Sequence, residues 1–269
     1  MFIPFALLPF WSGWRHTWRG RIGAILGLVA IALYLSPLLR AFPITLHLPE
    51  QLVNAFGQIA SKPPGSASHR TAPLVLEDLL RGISSPEATV SSHTYVTHNR
   101  YTLSLDLYHP PQQKEPAPGV VVIHGGSWNN GDAQQLTALN HYLAARGYVV
   151  AAINYRFAPK WPFPAALEDV RAAVTFLTEN AATLGLDAER LVLLGRSAGG
   201  QLALLAGYTT EKNSIRGVVA FYAHTDLQYS FDHPGDPFVI NTRKILQDYL
   251  DGTPHQIEEA YVAGSPITL

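Results

Sequence analysis

The hydrophobic pattern divides the chain into an apolar N-terminal part and a longer patterned part. Residues 22–39 (IGAILGLVAIALYLSPLL) contain no charged side chain, whereas short apolar runs alternate with amphipathic stretches from residue 94 onward. An uncharged stretch of this length matches a helix that crosses a bilayer, which needs about 17–25 residues. The pattern predicts an interfacial lead at 1–21, a transmembrane anchor at 22–39, a connector at 40–88 and an α/β domain at 89–269.

Basic and aromatic residues flank the apolar segment unequally. Three arginines and three tryptophans precede or border it: Arg15, Arg19, Arg21, Trp11, Trp14 and Trp18. Only Arg40 follows closely. The positive-inside rule then predicts a cytoplasmic N-terminus and an extracytoplasmic domain. A cleaved signal peptide and a buried core helix are the alternatives, but SPLLRAFP lacks a small-x-small cleavage signal and the segment is apolar on every face.

The connector contains two stretches that favour short helices, at residues 48–60 and 72–82. Between them, KPPGSAS at 62–68 is typical of a turn or spacer. The opening segment MFIPFALLPF is apolar but broken by two prolines, so we expect it to lie in the membrane interface.

Strand patterns begin near residue 94. TYVTHN and YTLSLDLYHP alternate apolar and polar residues, which predicts an antiparallel hairpin. Four continuous apolar runs, GVVVIHGG, YVVAAINYR, RLVLLGRSAGG and IRGVVAFYA, predict strands that are buried on both faces. Helical stretches at 133–146, 165–184 and 198–208 lie between the runs. The alternation predicts an α/β fold with a mostly parallel, doubly wound sheet and an antiparallel N-terminal hairpin.

Composition excludes several classes of function. The formal net charge is −1 and no basic block occurs, so the chain has no electrostatic footprint for nucleic acid. The absence of cysteine excludes disulfides, thiol catalysis and thiolate metal sites. The sequence carries no HExxH, phosphate-loop or dinucleotide motif, and we therefore expect neither a metal nor a cofactor.

The residues Gly195-Arg196-Ser197-Ala198-Gly199 follow the run VLL and open a helix of small residues. This is the G-x-S-x-G pattern in its strand–turn–helix context, which predicts Ser197 as a catalytic nucleophile. The helix N-terminus would favour negative charge at this hydroxyl. An ordinary tight turn is the alternative, and the flanking strand and helix disfavour it.

A second loop, His124-Gly125-Gly126-Ser127-Trp128, directly follows the run VVVI. Backbone N–H groups of Gly125, Gly126 and Ser127, with that of Ala198, are predicted to form an oxyanion hole. The alternative is a βα turn in which glycine only permits positive φ. His124 is interpreted as structural, with a bond inside its own loop.

The motifs HGGSW, INYRFAPKWPFPAALEDVRAAVTFL and GRSAGGQLALL together resemble bacterial esterases of the α/β-hydrolase superfamily. The esterases that it resembles are those related to hormone-sensitive lipase and to feruloyl or acetyl-xylan esterases. The resemblance runs from about Thr94 to the end and implies the α/β-hydrolase fold. It implies Ser197 as nucleophile and the amides of Gly126, Ser127 and Ala198 as the oxyanion hole. It also implies structural support from Asn154, Tyr155, Arg156 and Asp169.

The chain departs from the family near its end. In such enzymes a segment like AGSPITL leads into further strands that carry the acid and the histidine, whereas this sequence stops at Leu269. We therefore expect a hydrolase domain that lacks its last strands, with acid and histidine beyond residue 269. Asp226 and His255 are candidate substitutes, although an Asp in this context more often caps a helix. His224 and His233 are less favoured.

These features predict a serine carboxylesterase that acts on small-molecule esters through a Ser197 acyl-enzyme. An amidase or peptidase of the same fold, and a non-catalytic, membrane-tethered esterase relic, are the alternatives. Four aromatic residues either line an acyl pocket or pack in the core: Trp128, Phe157, Trp161 and Phe163.

Overall fold

The computed structural model describes residues 17–57, 75–83, 85–98, 100–210 and 215–269. These residues divide into two units. The first contains helices α1 (Trp18–Phe56) and α2 (Leu76–Arg81), and the second contains a six-stranded sheet with its helices. The predicted interfacial segment at 1–10 and the spacer at 62–68 lie outside the described residues.

Helix α1 is 39 residues long, which corresponds to about 58 Å. It begins after Thr17, whose Oγ1 accepts a hydrogen bond from Gly20 N at 3.1 Å, and ends at Gly57 with φ 78°. By length and composition it is a candidate membrane span or signal sequence. The helix expected at 72–82 is present as α2.

The helix predicted at 48–60 is not separate, because α1 continues past residue 39 to Phe56 and takes in the first part of the connector. Three prolines lie inside it, at positions 37, 43 and 49. Pro37 cannot donate to the carbonyl of Leu33, and the hydroxyl of Ser36 donates to that oxygen instead, at 2.8 Å. Such substitution for the missing N–H allows a helix to pass through proline.

The sheet has the predicted mixed topology. Its strands are β1 (Thr89–His98), β2 (Tyr101–His109), β3 (Ala117–Ile123), β4 (Val149–Ile153), β5 (Leu186–Arg196) and β6 (Ile215–Phe221). Their order is β1-β2-β4-β3-β5-β6, with β1/β2 and β2/β4 antiparallel and the other pairs parallel. Val121 in β3 is level with Ala151 in β4 and Leu193 in β5.

Helices cover both faces of the sheet. They are α3 (Thr137–Ala144), α4 (Ala165–Glu179), α5 (Ala198–Thr209), α6 (Leu227–Asp232), α7 (Thr242–Leu250) and α8 (Glu258–Ala263). Short 3-10 turns occupy Ala133–Leu136 and Pro266–Thr268. Val121 belongs to the core that includes α4, α5 and α7, whereas its neighbour Val122 belongs to the core that includes α3. Alternate residues of a strand thus serve opposite layers, as in a doubly wound fold.

Two predicted helices differ in their bounds. The first part of 133–146 is a 3-10 turn, and α4 ends at Glu179 rather than near residue 184. Asn180 is the C-terminal cap of α4, and its backbone N–H and its side-chain Nδ2 both donate to the carbonyl of Phe176, at 3.0 and 2.8 Å.

The prediction that IRGVVAFYA is buried on both faces is wrong. Val219 and Phe221 are 40% and 46% exposed, and Tyr222 just after them is exposed as well. Among the described residues, β6 pairs only with β5, and α5 packs against it through Gly207 and Val218. The strand is therefore an edge strand with one open face.

Candidate active site

Ser197 lies at the sharp turn between β5 and α5. Its backbone has φ 52° and ψ −123°, a conformation that costs a non-glycine residue about 1–3 kcal/mol. The Ser197 N–H donates to the carbonyl of Phe221 at 2.9 Å, which ties the turn to the end of β6. The side chain is partly exposed at the carboxyl end of the sheet.

Two glycines make this turn possible. A Cβ on Gly195 would lie 2.1 Å from the carbonyl oxygen of Gly199, and one on Gly199 would lie 2.2 Å from that of Ile123. Contacts this short exclude any side chain. The glycines therefore let the first turn of α5 pack on the ends of β3 and β5.

The loop after β3 lies against the nucleophile turn. Gly126, Ser127 and Trp128 have φ of 132°, 50° and 53°, so three successive residues are left-handed. A Cβ on Gly125 would lie 3.0 Å from the carbonyl oxygen of Arg196 and 3.4 Å from Cβ of Ser197. The loop backbone thus reaches van der Waals distance of the nucleophile.

The amides of this loop do not all serve the same purpose. Gly125 N–H donates to Oε1 of Gln135 at 3.1 Å, so this residue borders the site and supplies no free donor. The sequence could not show that Gln135 reaches back to the amide that was predicted as an oxyanion donor. Within the part of the chain that the structure describes, the N–H groups of Gly126, Ser127 and Ala198 have no hydrogen-bond partner.

His124 is buried beneath the loop and bonds within it. Its Nδ1–H donates to the carbonyl of Gly125 at 2.7 Å, and its ring stacks on Tyr155 at 4.3 Å. The Tyr155 hydroxyl donates to the carbonyl of His124 at 3.0 Å. Burial lowers the pKa of His124, and its Nε2 is buried without a hydrogen-bond partner among the described residues. These contacts hold the ring beneath the loop.

Asp169 is buried at the start of α4, where it pairs with Arg156. Its carboxylate accepts from the Arg156 backbone N–H at 2.8 Å and from Nε at 2.9 Å. Burial raises the pKa of this carboxyl, and the Arg156 guanidinium opposes that rise. In the same region Asn154 Nδ2 donates to the Ser104 carbonyl and Oδ1 accepts from Ala133 N–H. These contacts fix the segment that follows β4.

The candidate substitutes for acid and base have other surroundings. Asp226 caps α6, since its Oδ1 accepts from Tyr229 N–H at 2.8 Å. His255 is exposed after α7, and His233 stacks on Tyr229 at the surface. His224 is partly buried, with its ring 5.7 Å from that of Trp128. Among the described residues, no side chain hydrogen-bonds the Ser197 hydroxyl.

The sequence model of the BD-FAE family matches residues 105–269, which is more than half of the chain. The chain belongs to the BD-FAE family. The match includes the loop after β3, the nucleophile turn and every helix of the second unit from α3 onward.

Relatives of this BD-FAE chain are esterases by name. It is 36% identical over 130 residues to an ethyl acetate hydrolase of Pseudomonas putida, covering 47% of this chain and 41% of that protein. It is 36% identical over 120 residues to carboxylesterase NlhH of Mycobacterium tuberculosis, covering 44% and 37%. The chain spans about two fifths of the length of these curated relatives.

A solved structure shows the same fold. The hyperthermophilic esterase of Pyrobaculum calidifontis superposes with a TM-score of 0.60 at 26% identity, covering 69% of this chain and 63% of that one. The chain therefore has the α/β-hydrolase fold that the resemblance implied.

A buried polar network in this BD-FAE domain was not predicted. Trp128 Nε1–H donates to Oε1 of Gln201 at 3.0 Å, and Gln201 Nε2 donates to the Gly264 carbonyl at 2.7 Å. Tyr249 OH donates to the same Gln201 oxygen at 3.3 Å. One signal was available: Gln201 is a polar residue one turn after Ser197 in an otherwise small and apolar helix.

The four aromatic residues pack around the site. Trp128 is buried against Tyr249, and Phe163 contacts the same ring edge-on at 5.8 Å. Phe157 meets His124 at 5.9 Å, and Trp161 meets Tyr101 at 5.3 Å. These contacts favour the packing interpretation over an acyl pocket.

Proposed function

We propose that this chain is the nucleophile-bearing part of a carboxylic ester hydrolase that acts through Ser197. The observation that carries the proposal is the apposition of Ser197 and the Gly125 loop, with N–H groups of Gly126, Ser127 and Ala198 left without partners. Unpaired donors beside a strained serine suit an oxyanion that forms at the attacked carbonyl carbon.

In the proposed reaction the Ser197 oxygen attacks the ester carbonyl, and the alcohol leaves as the acyl-enzyme forms. Water then cleaves the acyl-enzyme and releases the acid. The three free amides would stabilise the oxyanion in both steps, and loss of one such donor typically costs about 2.7–4 kcal/mol of barrier. A histidine would take the serine proton.

We do not propose His255 as that histidine, or Asp226 as its carboxylate partner. Asp226 is engaged at the N-terminus of α6, and His255 is exposed without a carboxylate partner in the described structure. The chain spans about two fifths of the length of its curated relatives, and we propose that the acid and base come from a segment outside residues 1–269. The names of the relatives support a small-molecule ester as substrate.

A fluorophosphonate probe tests the nucleophile directly, because it reacts with an activated serine and needs no knowledge of the substrate. We expect one labelled site that disappears in Ser197→Ala and persists in the control Ser91→Ala on β1. Hydrolysis of p-nitrophenyl acetate should follow the same pattern. The test is made on the 1–269 chain and on any longer product of the same gene.

The alternatives give different results. Cleavage of a p-nitroanilide at a higher rate than the matching ester would favour an amidase. A non-catalytic relic is favoured by the absence of any described partner for the Ser197 hydroxyl, and it predicts no Ser197-dependent labelling in either form. That result would end the hydrolase proposal.

We also propose that α1 anchors the protein in a membrane with its N-terminus in the cytoplasm. The uncharged stretch inside α1 and the arginines before it support this orientation. The chain has no cysteine, so single cysteines can report topology. An impermeant maleimide should label Ser91→Cys on intact cells and Ser12→Cys only after permeabilisation. The reverse pattern, or a mature protein that lacks α1, would contradict the proposal.

A further inference from the structure

A protruding loop between α6 and α7, here called the apolar loop (residues 233–241), exposes three consecutive apolar side chains. Phe238 is 98% exposed, Val239 83% and Ile240 46%. Runs of exposed apolar residues are unfavourable in water unless they bind something. The apolar loop is therefore a candidate contact surface.

The loop presents these side chains through a formed turn. The Asp236 carboxylate accepts from Phe238 N–H at 2.9 Å, and the Asp236 carbonyl accepts from the N–H groups of Val239 and Ile240, both at 3.0 Å. At the base of the loop, Arg243 Nε donates to the Phe231 carbonyl at 3.0 Å. The apolar tip is thus held outward by its own backbone.

The charge around the tip identifies the partner chemistry. Two acidic and two basic residues flank the turn, namely Asp232, Asp236, Arg243 and Lys244. Asp236 is used within the turn, and Lys244 pairs with Asp248. A nearly neutral surround with an apolar tip does not favour an anionic partner, but it suits insertion into a zwitterionic lipid surface.

We infer that the apolar loop inserts into the surface of the bilayer that α1 occupies. This inference rests on the proposed membrane anchorage. Because both units belong to one polypeptide, an inserted α1 keeps the second unit at high effective concentration near lipid. Under that condition even a small apolar tip gains enough burial to stay in the interface.

The position of the loop gives the insertion a functional consequence. The apolar loop precedes α7, which contains Tyr249. The Tyr249 ring stacks on Trp128, which lies in the loop after β3, beside Ser197. Insertion would bring the carboxyl end of the sheet close to the lipid. Esters dissolved in the bilayer would then reach the site without crossing much water.

The cysteine-free chain allows a direct test. The full chain with Phe238→Cys, labelled with an environment-sensitive nitrobenzoxadiazole dye, is reconstituted in phosphatidylcholine vesicles with and without doxyl-labelled lipid. We expect a blue-shifted emission and a loss of roughly half of it with doxyl lipid, because interfacial groups lie about 5–10 Å within the headgroup boundary. The nearly complete exposure of Phe238 makes unfolding by this substitution a minor concern, and circular dichroism checks it.

Two matched probes separate the ways in which the test can fail. Tyr208 is 62% exposed in the parent chain and lies at the C-terminal end of α5, a helix that starts at the carboxyl end of β5 and runs away from it. We therefore expect no quenching of Tyr208→Cys. Leu33→Cys in α1 should be quenched if the anchor is inserted. If Leu33→Cys is quenched but Phe238→Cys gives the same signal as Tyr208→Cys, the inference about the apolar loop is overturned and the membrane anchor is not. An unquenched Leu33→Cys overturns the anchor and the inference together. A blue shift without doxyl quenching indicates a protein contact and also overturns it.

Discussion

The rings of Trp128 and Tyr249 lie parallel, with centroids 4.1 Å apart and 8° between their planes. Trp128 ends the run of three left-handed residues beside Ser197, and Tyr249 belongs to α7. The backbone geometry of the predicted oxyanion loop is therefore held by a helix that lies more than a hundred residues away in the sequence. Gln201 joins the two rings through its single amide oxygen.

Gln201→Leu should destabilise the domain. The substitution leaves Trp128 Nε1–H and the Gly264 carbonyl buried without partners, and each such group costs about 1–3 kcal/mol. Urea unfolding followed by Trp fluorescence measures the loss. The exposed Gln112→Leu is the control and should change the unfolding free energy by less than about 0.5 kcal/mol. Equal effects of the two substitutions would contradict the network.

Gly199→Ala should disrupt the nucleophile turn. The new Cβ would lie 2.2 Å from the Ile123 carbonyl and 2.3 Å from that of His124, so the turn must shift. We expect a loss of about 1–3 kcal/mol in unfolding free energy and loss of fluorophosphonate labelling. Gly217→Ala, where nothing lies within 4 Å of the new Cβ, serves as the control. Unchanged labelling of Gly199→Ala would show that the turn is looser than described.

Asp226→Ala should affect stability and leave Ser197 reactivity unchanged. Removal of the cap at α6 costs about 0.5–2 kcal/mol, and Asp226→Asn should retain most of the cap. Rates of fluorophosphonate labelling distinguish this from a catalytic role. If both variants abolish labelling while remaining folded, Asp226 is the missing acid.

Asp169→Ala should lower the unfolding free energy of the domain more than Asp187→Ala does. The Asp169 side chain is 3% exposed and that of Arg156 is 12% exposed, and breaking a buried pair typically costs about 3–5 kcal/mol. Asp187 pairs with Arg190 at the surface, where such a pair contributes about 0–1 kcal/mol. Denaturation midpoints of Asp169→Ala and Asp187→Ala compare the two. Similar midpoints would mean that Arg156 finds another partner.

The buried His124 gives stability a defined pH dependence. Burial lowers its pKa, so between the folded and unfolded pKa values the unfolded chain binds more protons. The contribution of the neutral ring is complete above about pH 6.5 and is lost as the pH falls below that value toward the folded pKa.

His124→Gln should therefore lose less unfolding free energy between about pH 7 and about pH 5 than the parent chain. Equilibrium unfolding at the two pH values provides the comparison. Gln112→Leu, which removes no titratable group at an exposed position, should keep the parent dependence. An unchanged dependence in His124→Gln would mean that folding does not shift the pKa of His124.

Local pattern predicted most of the sheet and the nucleophile turn. Continuous apolar runs located β3, β4 and β5, and alternation located the hairpin of β1 and β2, because burial on two faces or one leaves a direct trace in the sequence. Gly195 likewise reports a local steric requirement, because a Cβ there would meet the carbonyl of Gly199 four residues later. Such features depend on neighbours within a few residues.

Contacts between distant residues left no comparable trace. Trp128 and Gln201 are 73 positions apart, and nothing in either segment specifies the other. The Gly125 amide is engaged because Gln135 reaches it across ten positions, which the sequence could not show. The sequence also did not show that α1 continues past Pro37, where the Ser36 hydroxyl donates to the Leu33 carbonyl.

The length of α1 has a practical consequence. A helix of about 58 Å is nearly twice the roughly 30 Å of bilayer hydrocarbon, so any membrane that contains residues 22–39 leaves much of it outside. The part of α1 after residue 39 exposes Phe42, Ile44 and Leu46. A shortened chain that starts at residue 41 would keep these side chains in water and aggregate. A chain that starts after Gly57 would lack both the apolar segment 22–39 and these exposed side chains.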